Sequence, residues 1–128
     1  MTTDNKSIVQ QALAGLIATG DVEALAPVLA DDFVHHKPDS TSSGKAEWLG
    51  EVRAALPHIA GMEVDVQHLL ADGDHVVMYS RRRLPGSGVA IAVVDIWRFA
   101  DGLIAEAWEL IEPLADVAAN LAWWERGG

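Results

Sequence analysis

The sequence contains no cysteine. This absence excludes disulfides, thiol catalysis and thiolate metal sites. No apolar run approaches the ~20 residues that a membrane-spanning helix needs, and residues 1–7 (MTTDNKS) resemble neither a secretory nor a transit signal. Together these absences predict a cytoplasmic protein.

Basic residues are also scarce. The chain has 9 Lys and Arg against 19 Asp and Glu, which gives a formal charge of −10. Since nucleic acids and anionic membranes attract basic surfaces, we expect neither as a partner. With 128 residues, half of them apolar, residues 1–128 are predicted to form a single domain that buries roughly two-thirds of its unfolded surface.

Apolar spacing predicts helices first and strands afterwards. Residues 6–19 have helical spacing and end at Gly20. A second helix is expected after Asp21, kinked or shortened by Pro27, and a third runs from about residue 44 to Pro57. The later half alternates between strands and turns, with strands predicted at 62–71, 75–84, 89–99 and 103–113, and a short tail helix at 114–126. This order predicts an α+β domain with helices packed on one face of a curved, four-stranded antiparallel sheet.

The third of these strands contains a lone carboxylate. Asp95 lies between Val94 and Ile96 in an otherwise apolar segment. Burying an unpaired carboxylate costs several kcal/mol, so we expect a charged partner, a raised pKa or a solvated cavity beside it.

The Asp101-Gly102 turn determines what Asp95 faces. A two-residue loop would place Asp95 opposite Trp108, whereas a three-residue loop with Gly102 in a bulge would place it opposite Ala107. In the second register Glu109 is one diagonal step away on the same face. The glycine at the third loop position favours the bulged loop, in which small alanines would leave room for a cavity with two acids in its wall.

Both faces of the strand at 89–99 are apolar. Ile91, Val93 and Trp97 lie on one face, and Val94 and Ile96 lie on the other. Because helices can cover only one face, the outer face of the sheet is predicted to bind a second copy of the chain, which would make the protein a homodimer.

Two parts of the sequence resemble a known family. Residues 33–38 (FVHHKP) resemble its Tyr-Ile-Gln-His-Asn-Pro-type segment. Residues 94–98 (VDIWR), the turn at 101–102 and residues 106–113 (EAWELIEP) resemble its Val-Asp-Ile-Phe-Arg, Asp-Gly and Glu-His-Trp-Asp pattern. Over nearly its full length the chain resembles a SnoaL-like polyketide cyclase of the nuclear transport factor 2-like superfamily. The resemblance implies a cone-shaped barrel with an apolar pocket between sheet and helices, and general acid/base chemistry on an enolisable carbonyl without metal or cofactor.

The resemblance also suggests which residues form the site. Asp95 and Glu109 match the family's acids, and Ala107 stands where its relatives commonly have histidine. His36, from the N-terminal segment, is the candidate to replace that imidazole. The candidate catalytic residues are therefore Asp95, Glu109 and His36, and the candidate substrate-binding residues are Trp97, Trp48, Phe33, Tyr79 and Ala107.

Other polar residues are interpreted as structural. His35 should point away from His36 by strand alternation, and this divergence makes a metal site improbable. The run from Arg81 to Arg83 is expected to form a solvated rim or salt bridges between subunits. Trp123 and Trp124 could cover the pocket mouth or pack on a partner subunit, and the sequence does not separate these alternatives.

Two hypotheses for function remain. The first is a cofactor-free enzyme of secondary metabolism, a lyase or isomerase that cyclises or isomerises a small, largely apolar carbonyl or polyketide-like substrate. The second is a non-catalytic small-molecule-binding or dimerisation module, which the missing histidine at Ala107 supports. An epoxide hydrolase is less expected, because Val93 stands two residues before Asp95, where we looked for an arginine. A steroid-isomerase-type oxyanion hole needs a buried phenol, and Tyr79 is the sole tyrosine.

Overall fold

The computed structural model of the protein describes residues 4–59, 61–83 and 90–113. Its two α-helices are α1 (Asn5–Thr19) and α2 (Lys45–Ile59), and its six strands are β1 (Leu29–His36), β2 (Ser42–Gly44), β3 (Glu63–Asp72), β4 (His75–Arg83), β5 (Ala90–Ala100) and β6 (Leu103–Pro113). The predicted turn at 85–88 and the predicted tail helix, with Trp123 and Trp124, lie outside the described residues. Neither α1 nor α2 is long and apolar enough to cross a membrane.

Helix α1 is capped at both ends. The Asp4 carboxylate accepts the backbone N–H of Ser7 at 2.9 Å, which satisfies a donor of the first turn. Gly20 adopts the left-handed conformation (φ 66°) and donates its N–H to the Leu16 carbonyl. The predicted end of the helix at Gly20 is confirmed.

The predicted second helix is wrong. The segment after Asp21 forms two 3₁₀ turns, Val22–Ala24 and Ala26–Val28, and the chain becomes extended at Leu29. Pro27 lies in the second turn. Because proline lacks an N–H and clashes with the preceding turn, it prevents an α-helix from continuing through this segment.

The strands form one curled sheet in the order β2-β1-β6-β5-β4-β3. Strands β3 to β6 make the predicted antiparallel meander. The sequence analysis missed two features: β1 pairs with β6 in parallel, and β2 pairs with β1. The six described strands do not close into a barrel, since the edge strands β2 and β3 do not pair with each other.

Neither predicted register of the β5–β6 hairpin is correct. Ala100 pairs with Leu103, so the loop has two residues, and both Asp101 (φ 52°) and Gly102 (φ 80°) have the positive φ of a type I′ turn. The bulge lies beyond the turn, where the pairing shifts at Ala105 on β6. As a result Asp95 pairs directly with Glu109 and not with Ala107 or Trp108.

The inner face of the sheet packs against the helices through two groups of buried residues. One group joins the sheet to the start of α1 and consists of Val9, Leu29, Phe33, Val76, Phe99, Ile104 and Ala107. The other joins α1 to the 3₁₀ turns and consists of Ala12, Leu16, Val22 and Leu25. Members of both groups, among them Val9, Leu16 and Ile104, also line a cavity between the sheet and the helices.

Candidate active site

A cavity of about 570 Å³ lies between the inner face of the sheet and the helices. This is the size of sites that hold small organic ligands. Its wall is mainly apolar, with side chains that include Val9, Leu13, Leu16, Val52, Met62, Ile91, Val93 and Ile111. The charged and polar residues in this wall therefore stand out against a hydrophobic background.

Asp95 is the most buried acid in the cavity wall, with 8% of its surface exposed. Its Oδ2 accepts a hydrogen bond of 2.8 Å from Nη2 of Arg82. The pKa of Asp95 is raised to about 7; burial is the main cause, the charge of Arg82 opposes the rise and the charge of Glu109 adds to it. Of the alternatives expected for a lone buried carboxylate, Asp95 has a charged partner and a raised pKa.

Glu109 faces Asp95 across the β5–β6 pair and also lines the cavity. Side chains directly opposite in an antiparallel pair have Cβ atoms about 5 Å apart. Burial raises the pKa of Glu109 as well, and Arg82 again opposes the shift. The cavity wall thus contains two acids whose charged forms are disfavoured by burial, with one guanidinium beside them.

Arg82 was missed by the sequence analysis, which treated 81–83 as one solvated run. Arg82 lines the cavity, and its Nε donates to Oγ of Ser80 at 3.0 Å. Arg81 and Arg83 are exposed, as expected. The available signal was alternation along β4: Val76, Met78 and Ser80 are buried, and Arg82 continues the same face.

The structure reverses the predicted placement of the two adjacent histidines. His35, interpreted as structural, lines the cavity with 5% of its surface exposed. Its ring stacks on Trp48 with centroids 4.8 Å apart. Burial lowers the pKa of His35 to about 4, so the ring is neutral at physiological pH. Its Nδ1 has no hydrogen-bond partner among the described residues, a state that costs about 1–3 kcal/mol for a buried polar atom.

His36, predicted to be catalytic, does not line the cavity. Its Nε2 donates to Oε2 of Glu106 at 2.6 Å, and its ring stacks on Trp108 with centroids 5.2 Å apart. The cause is strand alternation: the fully buried Phe33 fixes one face of β1 inward, so His35 shares that face and His36 does not.

The candidate substrate-binding residues divide into three groups. Trp48 and Trp97 line the cavity. Phe33 and Ala107 belong to the packed core and are absent from the cavity wall, so their placement was wrong. Tyr79 was also misplaced: it lies on the outer face, where its ring stacks on His68.

Within the described residues no three His, Asp or Glu side chains converge as metal ligands would.

Comparison with known proteins agrees with this architecture. Residues 9–107 match the model of the SnoaL-like domain. The chain belongs to the SnoaL-like family. No curated protein matches the sequence.

Solved structures show the same fold at low sequence identity. IdmH from Streptomyces antibioticus, a proposed polyketide cyclase, is 24% identical with a TM-score of 0.70, over 90% of this chain and 99% of that chain. A proposed ketosteroid isomerase from Kribbella flavida is 21% identical with a TM-score of 0.71, over 84% and 76%. A nuclear transport factor 2-like protein of unknown function from Burkholderia pseudomallei is 20% identical with a TM-score of 0.75, over 94% and 97%. These likenesses establish a nuclear transport factor 2-like fold.

Proposed function

We propose that this SnoaL-like protein is a cofactor-free acid/base enzyme that acts on a small, largely apolar ketone or polyketide-like substrate. The observation that carries the proposal is the pairing of buried Asp95 with Glu109 and Arg82 in the wall of an apolar cavity. A carboxyl group with a pKa near 7 is well suited to move protons at neutral pH, because both of its protonation states are populated.

In the proposed reaction, the Asp95 carboxylate removes a proton from the carbon next to a carbonyl. The electron pair of that C–H bond moves onto the carbonyl oxygen, and the resulting enolate is stabilised by the positive charge of Arg82 and by a hydrogen bond from protonated Glu109, which keeps its proton. The enolate carbon then either regains a proton at another position, which is isomerisation, or attacks a second carbonyl, which closes a ring. In ring closure the proton held by Asp95 passes to the new alkoxide, so the acid returns to its starting state.

Deuterium exchange tests the first step directly. We would follow loss of the C2 protons of 1-tetralone in D₂O by NMR, with wild type and Asp95→Asn. General acid/base groups contribute about 10²–10⁴-fold, so the Asn variant should lose at least ~100-fold of the enzymatic rate. Glu106→Gln, on the outer face, is the matched control and should exchange at the wild-type rate. Equal rates for wild type and Asp95→Asn would contradict the proposal and favour a non-catalytic binding protein.

Epoxide hydration is the second candidate, and Arg82 is the observation that favours it. An arginine was sought beside Asp95 at position 93, but the neighbouring strand supplies one. In this reaction a protonated acid would donate to the epoxide oxygen as the C–O bond breaks, and the other carboxylate would take a proton from the attacking water. Formation of a diol from cyclohexene oxide, followed by gas chromatography, would favour this candidate over the ketone reaction.

For the assembly, we propose a homodimer through the outer face of the sheet. Leu70, Val77, Ile96 and Trp108 form one row across β3 to β6 on this face. Leu70 is 62% exposed and Leu110, in the next row, is 55% exposed. Continuous apolar surface on a sheet favours a protein partner, and a typical stable dimer buries about 800 Å² on each subunit.

Analytical ultracentrifugation tests the assembly. Leu70→Lys combined with Leu110→Lys should convert a dimeric wild type to monomers, because each lysine would be buried without a partner charge. Ile17→Lys is the control, since Ile17 is an exposed apolar residue on α1, away from the outer face. A monomeric wild type, or a double variant that remains dimeric, would contradict the proposed interface.

A further inference from the structure

The cavity has polar groups in two separate parts of its wall. Asp95, Glu109 and Arg82 lie on β4 to β6, and His35 lies on β1. The row of paired residues from β1 to β5 runs His35, Ala107, Trp97. Asp95 is two strands away from His35 and one inward-facing position further along, which places the two residues roughly 12 Å apart at the backbone, given strand spacings of about 4.8 Å.

The two parts of the wall offer a ligand different chemistry. At Asp95 the cavity presents acids and a guanidinium, which suit a carbonyl oxygen that gains charge. At His35 it presents an imidazole whose Nδ1 is buried and has no partner among the described residues. Buried polar atoms in proteins almost always have a hydrogen-bond partner, and the residue that carries this one lines a cavity that is large enough for a ligand.

We propose that His35 is a substrate-binding residue that hydrogen-bonds a hydroxyl group of the ligand, so that the substrate is a flat hydroxy-ketone with its hydroxyl at the β1 wall and its carbonyl at Asp95. The inference rests on the proposed function in placing the carbonyl end at Asp95. A neutral imidazole nitrogen accepts from or donates to a hydroxyl according to its tautomer. The ring of Trp48 behind His35 holds the imidazole in place and adds an aromatic surface for a flat ligand.

The surroundings of His35 favour a neutral hydroxyl over a charged group. A ligand carboxylate at this position would be best bound by an imidazolium ion, but burial disfavours that charged form. Lys37 and Glu51, the nearest charged residues in this part of the wall, are already bonded to each other at 2.6 Å. Neither charge of this pair is therefore free to neutralise a charged ligand group.

A pair of ketones that differ by one hydroxyl tests the inference. We would measure the dissociation constants of 6-hydroxy-1-tetralone and 1-tetralone by isothermal titration calorimetry. A hydrogen bond to a neutral group is worth up to about tenfold in affinity, so wild type should prefer the hydroxy-ketone by about threefold to tenfold. His35→Phe keeps an aromatic ring but removes both nitrogens, and it should bind the two ketones with nearly equal affinity.

Two further variants make the assignment specific to one atom. His35→Asn places an amide near the position of Nδ1 and should retain the preference, whereas His35→Gln places it near Nε2 and should lose it. If His35→Phe fails to fold, the Asn and Gln pair still decides the inference. His36→Phe, on the opposite face of β1, is the matched control and should show the wild-type ratio.

The outcomes separate this inference from the proposed function. A wild-type preference for the hydroxy-ketone that persists in His35→Phe would overturn the role of His35, and so would a wild type that binds both ketones equally or binds neither. If the preference depends on His35 but neither ketone exchanges its C2 protons, the hydroxyl-binding role stands and the proposed acid/base function fails.

Discussion

The two faces of the sheet shift the pKa values of their acidic residues in opposite directions. On the inner face, burial raises the pKa values of Asp95 and Glu109 and lowers that of His35, so burial opposes the charged form of all three residues. On the outer face Glu106 bonds to His36 and Arg98, and these bonds, His36 first, lower the pKa of Glu106. The effect of the surroundings on a charged form therefore depends on the face to which a residue points, and neighbouring residues on one strand point to opposite faces.

This difference shows that position on the sheet determines proton occupancy more strongly than residue type does. The inner residues lie in a low-dielectric cavity, where the charged form loses its hydration. On the outer face, Glu106 keeps part of its hydration and gains partners of opposite charge, so its charged form is favoured. A residue that must exchange protons near neutral pH is therefore expected on the inner face.

The largest effect should come from Asp95. Its folded-state pKa is about 7, against about 3.9 in an unfolded chain. Between these values the folded protein holds a proton that the unfolded chain has released, so the wild type loses stability as the pH rises. The unfolding free energy of wild type relative to Asp95→Asn should fall by up to about 4 kcal/mol from pH 4 to pH 8. Urea titrations at several pH values measure this, and a difference that does not change with pH would show that Asp95 is not buried as an acid.

His35 should show the opposite sign over a similar pH range. Its folded-state pKa is about 4, and that of an unfolded histidine is about 6.5. Below 6.5 the unfolded chain binds a proton that the folded protein excludes, so the wild type loses stability as the pH falls. Relative to His35→Phe, this loss should reach up to about 3 kcal/mol at pH 4. Urea titrations at several pH values measure this loss, and a difference that does not change with pH would show that His35 is not buried as a neutral imidazole.

Arg82 should limit how far burial raises the pKa values of the two inner acids. It lowers the pKa values of both Asp95 and Glu109, so Arg82→Met should raise them, by about one unit or 1.4 kcal/mol for Asp95. Carboxyl ¹³C shifts of labelled aspartate, followed against pH, would measure the change. Arg81→Met removes a charge from the neighbouring exposed position on β4 and is the control; a similar shift in both variants would assign the effect to net charge alone.

The smallest effect is expected on the outer face. Glu106→Gln removes the negative charge that faces His36 and Arg98, but partly exposed ion pairs contribute at most about 1 kcal/mol. The loss in unfolding free energy should be under about 1 kcal/mol and should shrink further in 1 M salt. Thermal melts at low and high salt would measure it. A loss as large as that of an inner-face variant would mean that the outer network is buried, for example in a subunit interface.

Local sequence signals predicted much of the fold. The helix end at Gly20, the four-stranded meander and the turn at Asp101-Gly102 all depend on short patterns that one segment contains by itself. The parallel pairing of β1 with β6 depends on two segments far apart in the chain, and no local pattern encodes it. The bulge at Ala105 was missed for a related reason, since an alanine in a strand carries no signal for an extra residue.

The site was predicted in part. Asp95 stood out as a carboxylate in an apolar strand, Glu109 was reached through the hairpin register and the family resemblance, and both line the cavity. Arg82 was hidden inside a run of three arginines, although strand alternation distinguishes it from its neighbours. His35 and His36 were exchanged because the sequence shows that adjacent residues on a strand face opposite sides but not which side is inward. The burial of Phe33 decides that question, and burial is a property of the packed structure.

The parallel contact between β1 and β6 has a consequence for folding kinetics. It joins residues such as His36 and Glu106, which are 70 positions apart, whereas the hairpins of the meander join close neighbours. Long loops are closed late because ordering them loses more chain entropy before any contact compensates. We therefore expect the meander to form first, with Asp95 and Glu109 already in register, and β1 to dock last. His35 would then enter the cavity wall at the final step, and ligand affinity would be the last property that a refolding chain recovers.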